Sequence, residues 1–594
     1  MATLLTTGTS LETKTAKVPF NRRFLLSIGI MFLVAMHFFF PNPGGSGLAL
    51  SFNPPVWIFL SIVLGIATYQ TATNQVIKYS KMTVVLGISC LLMTLPILLP
   101  NANVEIALPR ITGLWAGFFL FLSFQQFRFS NEEKQRLLWF ILIAVAIEAI
   151  WGWVQYTLLT PGNPFGYNTV RNRPYGIFQQ PNVMASFLAT GLVLSGYLLA
   201  RQPHDKYLSW RQKILFLYAI PLLTVPLLVV LASRTGWLGA LLATAMILPY
   251  LYRFALKSRA IIWCSLLIAG IVIGLGMGQT GSSESLLSQK ADLESARAYT
   301  FPQGIDMIIE RPLSGYGYGQ FESAYMVYTA RQHQLNPDYP AGLPSMDHPH
   351  NELLMWGIEG GIVPIIAIFL AMGFVLYRLY MVRSGTRIGI LALFIPIVLH
   401  TQLEYPFYHS AIHWVTFIIL LYWVDQRTAR YRQFSFGRLS KLCLRSSSLL
   451  LPILTCAYML TALHTNYVLT KFEQSKPKNP DILEQVTNPI AWKDRYEWDI
   501  HSTLLNIGIA TKQKQHIQAY VDWSLPFIKE KPRPALYKNL IIAYQALDQD
   551  QLANAIRGEA KFLFPRVDFD SVSLIKVKAS HAVSTTQNSA TSKD

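Results

Sequence analysis

The sequence predicts an all-α fold: a polytopic membrane bundle of about thirteen transmembrane helices, with a large periplasmic loop and a C-terminal soluble helical domain. Hydrophobic residues occupy 52% of the 594 positions and charged residues only 14%, which is unusual for a soluble protein of this length. Apolar runs of about 20 residues, long enough to cross ~30 Å of hydrocarbon as helices, recur along the chain. Basic residues are concentrated in every second loop, as in proteins that cross a membrane many times.

The apolar runs follow one another along most of the chain, and we predict that each is a span. They lie at 24–40, 54–69, 82–100, 104–124, 137–159, 183–200, 214–232, 236–252, 260–278, 353–380, 388–402, 410–424 and 447–468. The first run follows a polar, basic segment, but "HFFFPNPGGSG" offers no small-x-small cleavage site, so we expect an uncleaved span. This divides the chain into a cytoplasmic N-terminus (1–23) and a transmembrane domain (24–468).

The distribution of charge sets the orientation. The N-terminus and the alternate connections, such as "KYSK" and "DQRTARYRQFSFGRLSKLCLR", together hold 25 basic and 5 acidic residues. Cytoplasmic loops carry such an excess of Lys and Arg. The net charge of +18 is therefore a topology signal, and the sequence predicts membrane lipids but no nucleic acid among its partners.

The remaining connections are predicted to lie outside the cytoplasm, and they hold nearly all the polar clusters. The longest is a loop over 279–352, which includes "RPLSGYGYGQF". Its glycines alternate with tyrosines and lack a strand-turn-helix context, which favours a tight turn over a nucleotide site. The four cysteines fall in three spans and one cytoplasmic loop, which fits structural burial without a redox or zinc role.

The segment after residue 469 has the composition of soluble protein. Residues 469–578 include "ALYKNLIIAYQALDQDQLANAIRGEAKFLFP", which is loosely like one tetratricopeptide unit. An odd number of spans places this helical domain on the same side as the polar loops. Residues 579–594 are predicted to be a disordered tail.

Five loop motifs occur in a fixed order between the spans. They read "RNRPYGIFQQPNVMASFLA", "SRTGWLG", "RPLSGYGYGQF", "HPHNELLMWGIEGGIVP" and "QLEYPFYH". In this order they resemble the bacterial pilin-type O-linked oligosaccharyltransferases, within the O-antigen ligase and polymerase superfamily. The resemblance covers roughly residues 20–470, and the tail resembles the extra domain of the pilin-glycosylating branch.

The resemblance implies a reaction, a location and partners. Such enzymes move a preassembled glycan from an undecaprenyl-diphosphate-linked donor to a serine or threonine hydroxyl of a pilin-like protein. The resemblance implies an inverting mechanism without a metal or other cofactor. It also implies a bacterial inner (plasma) membrane protein whose active face is periplasmic.

Arginines in the outer loops are candidates for holding the departing diphosphate. The guanidinium group is planar, stays charged and grips phosphate oxygens in two places. We predict that Arg173, Arg234 and Arg297 form this cradle. The alternative for each is interfacial snorkelling or a structural ion pair. Arg234 is the sharpest candidate, because it lies between two spans with almost no loop around it.

His350 is the candidate for activating the acceptor hydroxyl, since a neutral imidazole can accept its proton. The resemblance places the superfamily's motif histidine here, before Asn351. The alternative is a structural residue at a helix N-terminus, with Asn351 as the N-cap. His348 could share the role or orient the loop. Together with Asp347 and Glu352 the histidines also suggest a metal cluster, but no third ligand is placed by spacing.

The segment "HTQLEYPFYHSAIHW" supplies further candidates. Tyr405 resembles a functional tyrosine of the pilin-type enzymes and could donate a hydrogen bond to a phosphate or sugar oxygen. Glu404 could orient a histidine or balance an arginine. His409 and His413 share a helix face and are as consistent with packing as with binding.

Neutral side chains before the sixth span are candidates for contacting the donor glycan. Gln155 lies in the same predicted span as Glu148, and an intramembrane carboxylate is a functional-site hypothesis by default. Gln179, Gln180 and Asn182 suit sugar hydroxyls, although they could equally satisfy loop backbone.

Two other functions compete with protein glycosylation. An O-antigen ligase or polymerase would use the same chemistry on a glycan or lipopolysaccharide acceptor. A transporter for a lipid-linked glycan should show repeated halves and charges near the bilayer midplane, and the sequence shows neither. The extra soluble domain favours a protein acceptor.

Overall fold

A computed structural model of the chain describes residues 20–202, 208–279 and 296–574. Most of the predicted cytoplasmic N-terminus, part of the large loop and the predicted disordered tail lie outside the described residues.

The first half of the chain consists of helices joined by short loops. In order, they are α1 (Asn21–Leu33), α2 (Asn53–Asn74), β1 (Val76–Tyr79), α3 (Lys81–Thr94), α4 (Val104–Gln125), α5 (Asn131–Thr157), α6 (Pro181–Leu199), α7 (Leu208–Val230), α8 (Arg234–Phe254) and α9 (Lys257–Gln279). Short 3-10 turns lie at Ala35–His37, Gly47–Ala49 and Leu95–Leu98.

The second half combines loop helices, spans and a terminal domain. Its elements are α10 (Arg297–Glu310), α11 (Phe321–Leu335), α12 (Glu352–Gly360), α13 (Ile362–Met381), α14 (Arg387–Ala392), α15 (Ile395–Thr401), α16 (Pro406–His409), α17 (Ala411–Thr428), β2 (Arg432–Ser435), α18 (Arg438–Gln474), α19 (Lys493–Thr511), α20 (Lys514–Glu530), α21 (Pro534–Ala546) and α22 (Asp550–Leu563). Two further 3-10 turns lie at Pro480–Gln485 and Ile490–Trp492.

The all-α membrane fold is confirmed. In the described part of the chain, ten helices are long and apolar enough to cross a membrane: α2 to α9, α13 and α18. The other three predicted spans are shorter or more polar. The first coincides with the 13-residue α1, the run 388–402 divides into α14 and α15, and α17 carries buried His413 and Asp425. The total of thirteen therefore stays a prediction.

Helix α6 lies at the centre of the bundle. Every side chain from Val183 to Leu199 is buried, as expected for a helix that is apolar on all sides. It packs against α5, α7, α8 and α15. Pro181 occupies its first turn, where the missing N–H costs no helical hydrogen bond. The first turn of α6 is thereby held rigidly at one end of the bundle.

The two strands connect basic loops at the opposite end. β1 pairs antiparallel with β2, in a register that sets Val76 opposite Ser435 and Tyr79 opposite Arg432. The sequence analysis did not predict this pair, because each strand has only four residues. The pairing places the "KYSK" loop and the loop after α17 on the same face of the bundle.

The predicted span 353–380 is two helices that meet at Gly361. Gly361 has φ +71°, and a Cβ there would lie 2.6 Å from the carbonyl oxygen of Leu313. Only glycine adopts this conformation with so close a neighbour. The N–H of Ile362 donates to the carbonyl of Pro312 at 2.8 Å. The "RPLSGYGYGQF" segment thus wraps around the junction between α12 and α13, as a turn with three positive-φ glycines.

The C-terminal helices pack against the large loop. Helix α18 has 37 residues and is about 55 Å long, so it extends well beyond a ~30 Å hydrocarbon core. It continues through the predicted domain boundary at 469. Helices α19 to α22 share one apolar core with α10, α11 and α12, which includes Met307, Tyr325 and Tyr537. The terminal helices and the large loop therefore lie on the same side of the bundle.

Candidate active site

A cavity of about 300 Å³ opens where the loop helices meet the bundle. It is lined by Asn182, Arg234, Thr235, Ala296, Arg297, Thr300, Leu343, Met346 and His350. Three of the predicted site residues, Arg234, Arg297 and His350, are in this lining. They are far apart in sequence, and α8, α10 and the loop before α12 bring them together.

Glu404 connects several of these groups from behind the cavity. Its Oε1 accepts hydrogen bonds from the Arg297 guanidinium and from Asn182 Nδ2, the latter at 3.0 Å. Its Oε2 lies 3.5 Å from His350 Nδ1. Glu404 is thus placed for both roles suggested by the sequence, because it lies beside His350 and balances the charge of Arg297.

The electrostatics of Glu404 follow from these contacts. Burial by itself would raise the pKa of the carboxyl group, but His350 and Arg297 outweigh burial and hold this pKa at about 2. The side chain is only 7% exposed, so solvent screens these interactions weakly. Glu404 is therefore a fixed negative charge over the whole physiological pH range.

His350 is held in an unusual backbone conformation. Its φ is +57°, a region that non-glycine residues rarely adopt and that is often found at functional sites. Its backbone N–H donates to His348 Nδ1 at 3.0 Å. The following Asn351 caps α12, since its Oδ1 accepts the N–H of Leu354 at 3.0 Å. The cap and the proposed catalytic role are compatible.

His348 supports the loop from inside the protein. Burial, and then the charges of His350 and Arg110, hold its pKa well below the ordinary value. The ring is therefore neutral, and its Nδ1 is occupied as an acceptor. Its ring centroid lies 4.4 Å from that of Tyr405. This arrangement positions His350 without placing His348 in the cavity lining.

Tyr405 lies among three histidine rings. Its ring centroid is 5.1 Å from that of His350 and 4.5 Å from the stacked ring of His409. Burial, followed by the charges of Asp347 and Glu404, raises the pKa of its hydroxyl above the ordinary value. The phenol therefore stays protonated and can donate a hydrogen bond.

The remaining predicted residues lie in or beside the loop before α6. Arg173 Nε donates to the carbonyl of Leu231 at 2.9 Å, three residues before Arg234. Gln155 Oε1 accepts the N–H groups of Tyr175 and Gly176, and its Nε2 donates to the carbonyl of Gly176, all at 2.9 Å. Gln155 thus holds the loop in place, and its binding to the donor stays a prediction.

Gln179 and Gln180 lead directly into α6. Gln179 has φ +53°, and Gln180 occupies the N-cap position of α6 without a side-chain capping bond. Neither is among the residues that line the cavity in the described part of the chain. Their contact with a glycan therefore also stays a prediction.

Glu148, the intramembrane carboxylate, has a structural environment. Its Oε1 contacts His37 Nδ1 at 2.6 Å, and its Oε2 accepts the N–H of Ile177 at 3.0 Å. Both oxygens are thus used to join α5 to the segment after α1 and to the loop before α6.

Arg110, whose side chain is 9% exposed, was not among the candidates from the sequence. Arg110, inside α4, pairs with Glu359 and lies between the rings of Tyr318 and Trp356, with its guanidinium carbon 4.7 and 4.4 Å from their centroids. The predicted span 104–124 gave no reason to single it out beyond its charge. Asn182, in contrast, was already a candidate for contacting sugar hydroxyls, and it lines the cavity and bonds to Glu404.

The sequence left metal binding by the histidine segment as an alternative. Across residues 20–202, 208–279 and 296–574, no group of three or more His, Cys, Asp or Glu side chains is arranged to hold a metal ion. The charges of Glu322, Arg533 and His350 act on Asp347, and Glu352 is buried near Arg110.

Comparison with known proteins gives matches to three families. The chain is similar to "protein glycosylation ligase" over residues 174–199, to "O-antigen ligase" over 219–369, and to the C-terminal part of "virulence factor membrane-bound polymerase" over 388–576. Arg234, Arg297, His350 and Glu404 all lie within these matched segments.

A curated relative gives the same indication. The chain is 25% identical over 321 residues to a general O-oligosaccharyltransferase of Acinetobacter baylyi. The match covers 50% of this chain and 52% of the relative, so it spans about half the length of that protein. Together the matches confirm the resemblance that the ordered loop motifs suggested.

Proposed function

We propose that this chain, a member of the O-antigen ligase and polymerase superfamily that resembles the protein-glycosylating branch, transfers a preassembled glycan to protein. The donor in this proposal is an undecaprenyl-diphosphate-linked oligosaccharide. The acceptor is a serine or threonine hydroxyl of a pilin-like protein on the periplasmic side of the inner membrane. The observation that carries the proposal is the cavity in which His350, backed by Glu404, faces Arg234 and Arg297.

The carboxylate contact gives His350 its chemistry. Glu404 Oε2, 3.5 Å from Nδ1, favours the tautomer that carries its proton at Nδ1 and leaves the lone pair at Nε2. Nε2 can then accept the hydroxyl proton as the acceptor oxygen attacks the anomeric carbon. Glu404 stabilises the imidazolium that forms, in the way a buried carboxylate assists a histidine base.

The arginines act on the other side of the reacting carbon. As the bond from the acceptor oxygen to the anomeric carbon forms, the bond from that carbon to the phosphate oxygen breaks and the diphosphate departs with the electron pair. Arg234 and Arg297 line the cavity and supply positive charge for the departing anion. Attack and departure on opposite faces of the sugar give inversion, and no metal is required.

Arg297 serves the carboxylate and the cavity together. One of its nitrogens is bonded to Glu404, while a guanidinium group offers five N–H donors. The pair with Glu404 therefore holds the guanidinium group beside the cavity and leaves donors for a phosphate. Arg173 contributes indirectly, since its bond to Leu231 braces the segment that leads to Arg234.

The proposal is tested by the intact mass of a candidate pilin from cells with a lipid-linked glycan pathway. The cells carry the wild-type protein, the His350→Ala variant, the His333→Ala variant or none. His333 is the matched control, because it lies in the same loop region and bonds to the carbonyl of Tyr339. We expect a glycan-sized gain with wild type and His333→Ala only. An unmodified pilin in all four strains contradicts the proposal.

A second candidate function rests on the match of residues 388–576 to a membrane-bound polymerase. A ligase or polymerase would use the same cavity with a glycan or lipopolysaccharide acceptor. In the same strains, an unmodified pilin together with altered lipopolysaccharide banding would favour this function.

A further inference from the structure

Helix α10 presents an apolar face that no part of the described protein covers. Ile305, Ile309 and Leu313 are 49%, 70% and 77% exposed. Ala298 and Pro302 are also exposed and share one helix face with Ile305 and Ile309. The exposed Pro312 and Leu313 follow the end of the helix. A helix at the surface of a soluble protein normally turns charged side chains outward, whereas here Arg297 and Asp306 are partly buried and only Glu310, at the end of the helix, is exposed.

Each of the three charged side chains of α10 is used by the protein. Arg297 bonds to Glu404, Asp306 accepts the hydroxyl of Tyr339, and Glu310 pairs with Arg331. The buried face, with Thr300, Gln303, Gly304 and Met307, packs against the rest of the loop. Between Arg297 and Glu310 the exposed stripe therefore carries no charge, and the charged residues Glu310 and Arg311 are exposed near its end.

The stripe is continuous with the surface that α13 turns to lipid. Helix α10 runs beside α12, since Gly304 faces Leu354 and Ile358, and Ile308 faces Gly357. The carbonyl of Leu313 lies beside Gly361, and Ile362 starts the span α13. Ile362 and Ile366, on the first turns of α13, are 38% and 54% exposed. Leu313 thus lies at the level where the span begins.

We propose that α10 is an interfacial helix whose exposed apolar stripe, Ala298 to Leu313, lies in the lipid leaflet on the side of the His350 cavity. Amphipathic helices bury such a face about 5–10 Å into the boundary between headgroups and acyl chains. The Leu313 end of the stripe lies at this boundary, because Leu313 is beside Gly361, where the span α13 begins. The occupant is bilayer lipid.

This placement connects the cavity to the membrane surface through one rigid element. Arg297 begins α10 and directly precedes Ala298, the first exposed residue of the stripe, so lipid contact along the helix holds the cavity arginine near the membrane surface. The inference stands on membrane geometry and does not depend on which acceptor the enzyme uses.

Spin labels test the inference in the full-length protein reconstituted in nanodiscs of phosphatidylethanolamine and phosphatidylglycerol. In a background with the four native cysteines replaced, single labels are placed at Ile309→Cys and Leu313→Cys. Ile366→Cys is the lipid reference and Leu552→Cys, on the exposed surface of α22, is the aqueous reference. For each label we measure the accessibility to oxygen and the accessibility to a water-soluble nickel complex, and the readout is the ratio of the first to the second.

We expect the oxygen-to-nickel ratio at Ile309 and Leu313 to be within about twofold of Ile366 and at least about fivefold above Leu552. A ratio at the level of Leu552 overturns the proposal, since the stripe would then face water. Low accessibility to both reagents also overturns it, because a protein or a second copy would then cover the stripe.

A second measurement on the unmodified protein avoids any variant that fails to fold. Phospholipids with a photoreactive acyl chain are included in the same nanodiscs, and crosslinked peptides are mapped. We expect crosslinks within 297–313 as well as in α13. Crosslinks in α13 without any in 297–313 contradict the proposal.

Discussion

At the scale of single residues, Glu404 determines the charge balance of the cavity. Its pKa in the folded protein is about 2, against an ordinary value of 4.5. A carboxylate with a lowered folded pKa stabilises the fold above its unfolded pKa, and this contribution is lost as pH falls through the folded pKa. The shift corresponds to about 3 kcal/mol at neutral pH.

We therefore expect Glu404→Gln to lower the free energy of unfolding at pH 7 by up to about 3 kcal/mol. The difference from wild type should shrink as pH falls from about 4.5 towards 2, because the wild-type carboxylate is then protonated. Unfolding of both proteins in one detergent, followed across this pH range, measures the difference. A difference that is constant with pH would show that Glu404 is not a paired carboxylate.

His348 tests whether the loop around His350 is positioned by one hydrogen bond. The oxygen of an asparagine occupies nearly the place of Nδ1 and can accept the N–H of His350. We expect His348→Asn to retain transfer within about threefold, and His348→Ala to lose about tenfold or more, since an unpaired buried donor costs ~1–3 kcal/mol. Initial rates of glycan transfer measure both. Equal losses would assign His348 a role that needs the imidazole itself.

At the scale of elements, the terminal helices contact the site through a paired charge. Arg533, at the start of α21, makes two hydrogen bonds to Glu322 of α11, at 2.8 and 3.0 Å. Glu322 is 8% exposed. Burial and Glu322 raise the pKa of Asp347, while the charge of Arg533 opposes this. Asp347 directly precedes His348, so the pair lies against the segment that carries His350.

A double-mutant cycle of Arg533→Ala and Glu322→Ala should show a coupling of about 1 kcal/mol or more in unfolding free energy. Transfer should fall in both single variants because the loop loses its support. The matched control is the pair Lys493–Glu105, which also joins the terminal helices to the bundle but is half or more exposed on both sides. We expect a coupling near zero there. Equal couplings would mean that the Arg533 pair is an ordinary surface contact.

Some of these elements were predictable from the sequence and others were not, for physical reasons. Long apolar runs must become helices in a membrane because their backbone groups have no water to bond, so α2 to α9, α13 and α18 were predictable. The break at Gly361 was not, since it depends on the carbonyl of Leu313 reaching the helix junction. The strands β1 and β2 are too short for their pairing to be seen in a periodic pattern.

The residues of the candidate site were also predictable only in part. Ordered motifs identified His350, Arg234 and Arg297 because charged groups next to spans are costly without a function. The triple contact of Glu404 with Asn182, Arg297 and His350 depends on how α6, α10 and the segment after α15 pack. Likewise, the residues next to Gln155 in sequence do not reveal that its amide forms hydrogen bonds with the backbone of Tyr175 and Gly176.

At the scale of the whole molecule, the chain has two chemically different faces. The β1–β2 pair joins basic loops at one face, while the cavity, the large loop and the terminal helices share the other. Phe434 on β2 and Leu552 on α22 are both exposed, one on each face. Their accessibility from outside the cell therefore reports the orientation of the entire bundle.

We expect that, in a background without native cysteines, Leu552→Cys reacts with a membrane-impermeant maleimide in intact spheroplasts. Phe434→Cys should react only after lysis, because the excess of Lys and Arg keeps its loop in the cytoplasm. Labelling measured by a mass shift on a gel distinguishes the two. The reverse labelling pattern would mean that the cavity faces the cytoplasm, and a periplasmic protein acceptor could then not reach it. The arrangement of His350, Glu404 and the arginines would stand, but its substrates would have to be sought on the cytoplasmic side.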